Sequence, residues 1–513
     1  MSTTPLPRIS EISRLTARLT RRESTAANTE EVNSEESFAK TARRLASDSP
    51  HVILLSGGEH SCSKRSLAAL QPAVIFEAKN DSCRIHTSRG TIEFNANPFD
   101  VLDQLLESWC CDANGAVLPL IAGYVAYEAG RAIELLPERA ADTLQLPDIW
   151  MCFPTVLLVQ PREDTQTASY DIVWSDDIGA LSPLSHETGA NAASRGTIPL
   201  RDSSGPSSAP QQAVAAEAVA AEDVAAETDA ATVNAGDFLE RSFERESYID
   251  AVQRVRDHIY EGDVYQVNLS QRFRFPLRED AFALWLRLFS ENPAPFYAWI
   301  DAGSHQVLST SMERFFLIDD DRIETRPIKG TRPHGADEAE SLRFSEELLR
   351  SEKDDAELSM IVDLERNDLG KVCAAGSIEV RAHKQIERYA NVQHLVSIVE
   401  GRLLPGIGIG DLFRALFPGG SITGCPKIRA MEIIDSIESE TRHVYTGCIG
   451  YISADGCADF NIAIRTAIVC DGVCQLSVGG GIVYDSDPLE EYFETLHKGR
   501  TFFQLAGIRT ELD

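Results

Sequence analysis

The stretch "AVAAEAVAAEDVAAETDAATVNAG", residues 213–236, has helix-forming composition and almost no large apolar side chain. A segment that cannot bury apolar surface cannot offset the entropy of ordering itself, so it reads as a solvated, partly helical insertion. With the Ser/Gly/Pro-rich residues before it, the insertion spans 176–242, and it splits the chain into an ordered 34–175 and an ordered 243–513.

Residues 1–33 read as a flexible arm; "RISEISRLTARLTRR" suits either a transit peptide or a loose tail. After it, "SFAKTARRLA" predicts a helix, "HVILLS" a strand and "MCFPTVLLV" a buried strand, which together make 34–175 a first α/β region. A balance of 48 basic against 79 acidic residues repels phosphate backbones and anionic membranes, which argues against nucleic-acid and membrane partners. Eleven cysteines, an odd number with no C-x-x-C pair, read as free thiols of a cytoplasmic protein. No apolar run approaches the roughly 20 residues of a membrane helix.

Beyond the insertion, "SYIDAVQRVRDHIYEGD" predicts a helix capped by Ser247 and Asp250, with Ile249, Val252, Val255 and Ile259 as its apolar stripe. "VYQVNLSQRF" alternates as a strand does, placing Gln266, Asn268, Ser270 and Arg272 on one polar face that needs water or a ligand. Two helices carry acidic pairs three residues apart. One pair is Asp354 and Glu357; the other is Glu491 and Glu494, since Asp487 fits an N-cap, Pro488 the first helical position and Glu490 the capping-box partner. Such pairs are either solvated surface or share a cation, for which oxygen ligands favour Mg²⁺ over zinc.

"FPGGSITGCPKIRAMEIID" is a glycine turn feeding a helix that starts at Pro426, so amides near Thr423 and Gly424 can face an anion. It lacks the adjacent Gly-Lys of a phosphate loop. Gly479–Gly481 fit either a bulge or a close approach to a ligand, and Arg465 within "NIAIRTAIV" is costly to bury without an anionic partner. In "ETRPIKGTRP", Lys329 stands between Arg326 and Arg332; crowding by cations would loosen its proton and make the amine nucleophilic, whereas the plainer reading is an exposed basic loop.

In order along the chain, "GDVYQVNLSQRF", "STSMERFF", "TRPIKGTRP", "SMIVDLERNDLG", "HLVS", "FPGGSITGCPKIRAMEIID", "GCIGYIS", "IAIRT" and "GGGIVYDSDPLEEYFET" resemble the chorismate-utilising enzymes. The resemblance is dense from about 245 to 505 and implies an α+β fold: two large antiparallel β-sheets packed as a sandwich with outer helices, the 34–175 region capping it and 243–513 forming the catalytic domain. "PIKGT" resembles the aminodeoxychorismate branch, component I, where anthranilate-forming members carry alanine in place of Lys329. That branch implies chorismate as substrate, with Lys329 adding to C2 of its ring and ammonia then attacking C4.

By the same resemblance Glu313 is the general acid, His394 an active-site histidine beside the ring, and Tyr445 and Arg465 holders of a substrate carboxylate. Thr423, Gly424, Gly479, Gly480 and Gly481 line the pocket. Gln266 stands where isochorismate-forming relatives carry a water-activating lysine. Glu357 and Glu494 become direct Mg²⁺ ligands, with Glu491 and Asp354, the latter in place of a usual glutamate, acting through water. No G-x-C-x-G glutaminase signature occurs, so ammonia is expected from a separate glutamine amidotransferase subunit. The rival expectations are anthranilate synthase component I and a chorismate-binding regulatory subunit without turnover.

Overall fold

The computed structural model describes residues 17–22, 34–58, 60–107, 111–112, 119–161, 168–174, 239–335, 337–389, 391–453 and 456–512. Residues 175–238, nearly all of the expected insertion, lie outside them.

Strands from both sides of the insertion interleave. One layer runs, in spatial order, Gln266–Pro276, Val473–Ile482, Thr466–Cys470, Gln306–Ser311, Phe296–Asp301, His51–Leu55 and Arg65–Lys79. The other continues from Arg65–Lys79 through Ile149–Pro161, Pro119–Val125, Cys448–Ser453, Ala458–Ile462, Arg314–Asp319, Arg322–Arg326 and Val392–Arg402 to Glu379–Arg388. Every one of these pairings is antiparallel. The 34–175 region is therefore woven into both layers, where it was expected to cap them.

Between the layers lies a core drawn from strands of each, including Val52, Tyr124, Trp150, Ile300, Val307 and Ile449. Helices cover the outside. Glu35–Ala46, Arg245–Tyr260, Ala281–Glu291, Lys427–Ile437 and Pro488–Leu505 bury their apolar faces on the first layer, and Pro98–Glu107, Glu352–Leu369 and Ile409–Leu416 on the second. Each large side chain so buried contributes about 1.5–3 kcal/mol. This is the α+β sandwich with outer helices that the sequence led us to expect.

Local differences have physical causes. Ala17–Arg22, assigned to a loose arm, forms a strand antiparallel to Ala168–Trp174. The helix at 245 starts one turn earlier than Ser247 would cap it: Glu244 is the N-cap, the Ser247 hydroxyl donates to the Glu244 carbonyl at 2.8 Å, and Tyr248 joins Val252 and Val255 in the core. Pro426 is the N-cap of Lys427–Ile437, one position before the one expected. The cap at Asp487 holds as read, accepting from the amides of Leu489 and Glu490 at 2.9 and 3.0 Å, and the structure adds one at Ser351, which accepts from the Asp354 amide at 3.2 Å. Such a cap is worth about 1 kcal/mol.

Candidate active site

The floor of the site is the pairing of Gln266–Pro276 with Val473–Ile482, in which Asn268 faces Gly481, Leu269 faces Gly480 and Ser270 faces Gly479. The three glycines continue a regular strand, so the bulge reading is set aside. Two of them are required by close approach: a Cβ on Gly481 would lie 2.3 Å from Gln266 Nε2 and 3.6 Å from Lys329 Nζ, and one on Gly480 would lie 3.1 Å from Glu491 Oε2, 3.6 Å from Glu494 Oε1 and 3.7 Å from Lys498 Nζ. The strand thereby brings the lysine and the second acidic helix to one place.

Lys329 lies on the strand Ile328–Pro333, which is paired to Val392–Arg402, with a register shift at Gly330 (φ +67°). Burial lowers its pKa; Glu357, Glu313 and Glu494 pull the other way, and the cation that adds to the lowering is Lys498. Neither flanking arginine plays the part assigned to it. Arg326 is held by Glu387 at 3.1 Å and Arg332 by Asp354 at 3.2 Å, and their partners neutralise them. The loosened proton of Lys329 is thus a consequence of desolvation, not of neighbouring arginines.

Glu313, fully buried where the strand Gln306–Ser311 gives way to Arg314–Asp319, has its carboxyl pushed up to about 7 by burial, against a hydrogen bond from Ser421 and the nearby Lys329. Ser421 sits in the Gly420–Ile422 turn. Its hydroxyl donates to Glu313 Oε1 at 2.6 Å and its carbonyl accepts from Lys329 Nζ at 3.2 Å. The same turn engages Thr423 internally: its hydroxyl donates to the Gly419 carbonyl at 2.9 Å and its amide to Gly420 at 3.4 Å. Thr423 therefore offers no amide to an anion, a correction to the helix-start reading. Gly424 (φ +148°) lets the chain cross the Gln266 carbonyl, 2.1 Å from where a Cβ would lie.

Around these groups stand buried polar atoms without protein partners. Gln266 Oε1 and His394 Nε2 make no hydrogen bond, and the Asn268 side-chain amide has only the Tyr445 phenol beside it. By contrast Ser270 is satisfied by Glu438 and Arg272 by Glu440, so only the first half of that strand's polar face awaits a ligand. His394 Nδ1 lies 3.0 Å from Thr331 Oγ1 and 3.3 Å from the Gly330 carbonyl. Burial, with Arg465 adding to it, lowers its pKa to about 3, so the ring is neutral. The Arg465 guanidinium has no carboxylate partner among the described residues, and burial lowers its pKa; it sits among Tyr297, Tyr389 and His394. An unpaired buried guanidinium is a receptor for a carboxylate. Tyr445 is buried beside Arg442 and Glu438, and burial raises its phenol.

The acidic helices meet from two sides. Burial raises Glu357, with Asp354 and Glu494 adding to it, and burial raises Glu491, with Glu494 adding to it. Glu491 accepts from Ser486 at 2.6 Å, and Glu494 is lowered chiefly by Lys498, 2.7 Å away. Asp354 is likewise paired with a cation, Arg332, at 3.2 Å. The donor set is all oxygen and mutually repulsive, which suits Mg²⁺. No three of these carboxylates gather oxygens within 4.8 Å; among the described residues only His258, Glu261 and Asp263 at the surface do. The four fit a cation that keeps water and substrate among its ligands, not one caged by protein.

Sequence reading missed Ser421 and Lys498. Lys498 follows Glu494 by one helical turn and also donates to the Gly479 carbonyl at 2.8 Å, a placement the i,i+4 spacing alone could have flagged. A separate cavity of about 490 Å³, lined by Ser56, Pro295, Tyr297, Tyr451 and Asp459 among others, contains none of the residues assigned to chemistry.

A half-buried lysine, a carboxyl that titrates near 7, a guanidinium without a carboxylate partner and two converging acidic helices are brought together by the antiparallel layers. The chorismate binding enzyme family matches residues 50–504, and the chain belongs to it. It is 35% identical to aminodeoxychorismate synthase component 1 of Escherichia coli over 456 residues, 88% of this chain and 92% of that one. It is 36% identical to anthranilate synthase component 1 of Thermus thermophilus over 395 residues, 75% and 76% of the two. The solved anthranilate synthase component I of Streptococcus pneumoniae superimposes with a TM-score of 0.66 at 26% identity, covering 88% of this chain and 93% of that one. Among the described residues no helix is long and apolar enough to cross a membrane.

Proposed function

We propose that the chain is a component I enzyme that replaces the C4 hydroxyl of chorismate by an amino group, giving 4-amino-4-deoxychorismate, with ammonia from a separate glutamine amidotransferase. Overall identity is nearly equal to relatives named for either amination, 35% and 36%, so it does not choose between them. The observation that carries the choice is Lys329: an amine whose pKa burial lowers, tied through Ser421 to a carboxyl that titrates near neutrality.

In the first step the neutral Lys329 amine bonds to C2 of the ring, the ring double bonds shift, and the C4–O bond breaks as Glu313 delivers its proton, so that water leaves. Ammonia then bonds to C4, the double bonds shift back, and the C2–N bond to Lys329 breaks, the surplus ammonia proton returning to Glu313. Arg465 and Tyr445 hold one substrate carboxylate, and neutral His394 turns Nε2 toward the ring. Glu357 and Glu494 would hold Mg²⁺, with Glu491 and Asp354 reaching it through water; when bound, the ion supplies positive charge for the other carboxylate. Gln266, being an amide, cannot activate water as a lysine would, which disfavours hydroxylation.

Incubation of the protein with chorismate, ammonium and Mg²⁺ tests this by product mass. Anthranilate synthase chemistry, the second reading, would release pyruvate and leave a smaller aromatic product; a protein that binds chorismate without consuming it would be a regulatory subunit.

A further inference from the structure

Glu365 is a buried carboxyl that this scheme leaves idle. It lies about two turns from Glu357 on the helix Glu352–Leu369. It faces the Gly420–Ile422 turn: the Gly420 amide donates to it, and a Cβ on Gly420 would lie 2.6 Å from Leu364 Cδ2 and 3.5 Å from Glu365 Oε1. The next residue in the turn is Ser421, which holds Glu313 through its hydroxyl and Lys329 through its carbonyl. One peptide unit separates the anchor of Glu365 from the contacts of both reacting groups.

The charges around Glu365 decide its state. Burial pushes the carboxyl up to about 8, with Asp368 and Glu313 adding to it, while Lys427 and the Gly420 amide oppose. Asp368 itself is paired with Lys427 at 2.6 Å and Lys371 at 2.8 Å. At neutrality Glu365 therefore keeps its proton, and its carbonyl oxygen can accept from Gly420 without setting a second anion beside Glu313.

We propose that Glu365, in its neutral form, is a positioning residue: it pins Gly420 and so fixes where Ser421 presents itself to Glu313 and Lys329. The role rests on reading Glu313 as the acid.

Two substitutions test it. Glu365→Gln keeps a neutral acceptor for the Gly420 amide and is expected to retain kcat within about threefold, with the alkaline limb of the kcat–pH profile unmoved. Glu365→Ala frees the turn and is expected to lower kcat about tenfold with KM for chorismate within about twofold, the scale of one misplaced hydrogen bond between Ser421 and Glu313. It should also move the alkaline limb up by about one pH unit, because Ser421 no longer favours the Glu313 carboxylate. A wild-type limb in Glu365→Ala, or equal damage in Glu365→Gln, overturns the proposal. The Glu313 titration, followed by pH-difference infrared spectroscopy of the protonated carboxyl band and assigned with Glu313→Gln, gives the same answer without turnover. Absence of a 4-amino product from the wild type would sink the amination reading, whereas an unmoved Glu313 titration in Glu365→Ala sinks this one.

Discussion

Ser421 donates its hydroxyl to Glu313 across 2.6 Å, and this bond, ahead of Lys329 and the Ile328 amide, opposes the burial that pushes the carboxyl up to about 7. A hydrogen bond to the charged form favours that form. Ser421→Ala should therefore raise Glu313 further, by about one pKa unit. The alkaline limb of kcat would move to higher pH by the same amount, and kcat at pH 7 would fall several-fold as the acid becomes a poorer donor. A pH–rate series on the variant reads both; a limb that stays in place contradicts the assignment of Glu313.

Lys329→Ala removes the proposed nucleophile and leaves the pocket standing, because the lysine side chain donates to a backbone carbonyl. Formation of 4-amino-4-deoxychorismate should drop by at least about a thousandfold, the scale on which loss of a covalent route costs an enzyme. The direct attack of ammonia on the ring that anthranilate-type chemistry uses would no longer compete with lysine addition. Mass spectrometry of the products distinguishes the outcomes, and undiminished 4-amination would remove Lys329 from the mechanism.

Burying Glu313 costs stability in a definite pH window. Its folded pKa, about 7, lies above the ordinary 4.5, so the native state binds more protons between those values and loses stability as pH rises through them. Glu313→Gln does not titrate. Relative to wild type it should be near neutral at pH 4.5 and more stable by about 3 kcal/mol above pH 7.5. Denaturant melts at the two pH values measure this, and a difference independent of pH would mean that the carboxyl titrates normally.

Much of this site was legible in the sequence because it is written in local patterns. The cap at Asp487 set the register of the second acidic helix, and the alternation of "VYQVNLSQRF" set which residues share a face, although both faces of that strand are buried. What was not legible depends on segments distant in the chain. The lowered pKa of Lys329 comes from burial under helices at 352–369 and 488–505, and the arginines beside it in sequence are neutralised by Glu387 and Asp354. Ser421 reads as a turn residue until Glu313, 108 positions away, is placed against it. The weave of 34–175 into both layers was likewise hidden, since a strand's own residues do not name its neighbour.

Gly481→Ala probes a close approach in the pocket. Its Cβ would fall 2.3 Å from Gln266 Nε2, on a strand whose φ and ψ accept any residue, so the clash has to be relieved by moving the glutamine. The displaced amide would press toward Lys329, whose Nζ lies 3.6 Å from the same Cβ position. A fall in kcat of about ten- to a hundredfold is expected with a small loss of stability. Paired measurement of kcat and thermal midpoint separates this from simple unfolding, and wild-type kcat would show that Gln266 does not border the reacting atoms.

Glu357 gives the metal assignment a test that needs no turnover. Burial raises its carboxyl, and Asp354 and Glu494 add to that, so in the absence of a cation the folded state holds a charge it would rather not hold. Glu357→Gln should consequently be more stable than wild type in chelator at pH 7. Adding Mg²⁺ should reverse the order: binding to the folded state alone stabilises by about 2.7 kcal/mol at a hundredfold excess over Kd, and only the wild type has both carboxylates to bind with. A thermal midpoint that rises with Mg²⁺ in wild type and stays flat in Glu357→Gln and in Glu494→Gln is the expected pattern. Equal responses in all three would place the ion elsewhere, because a cation that bridges two helices cannot be indifferent to losing the ligand on either one.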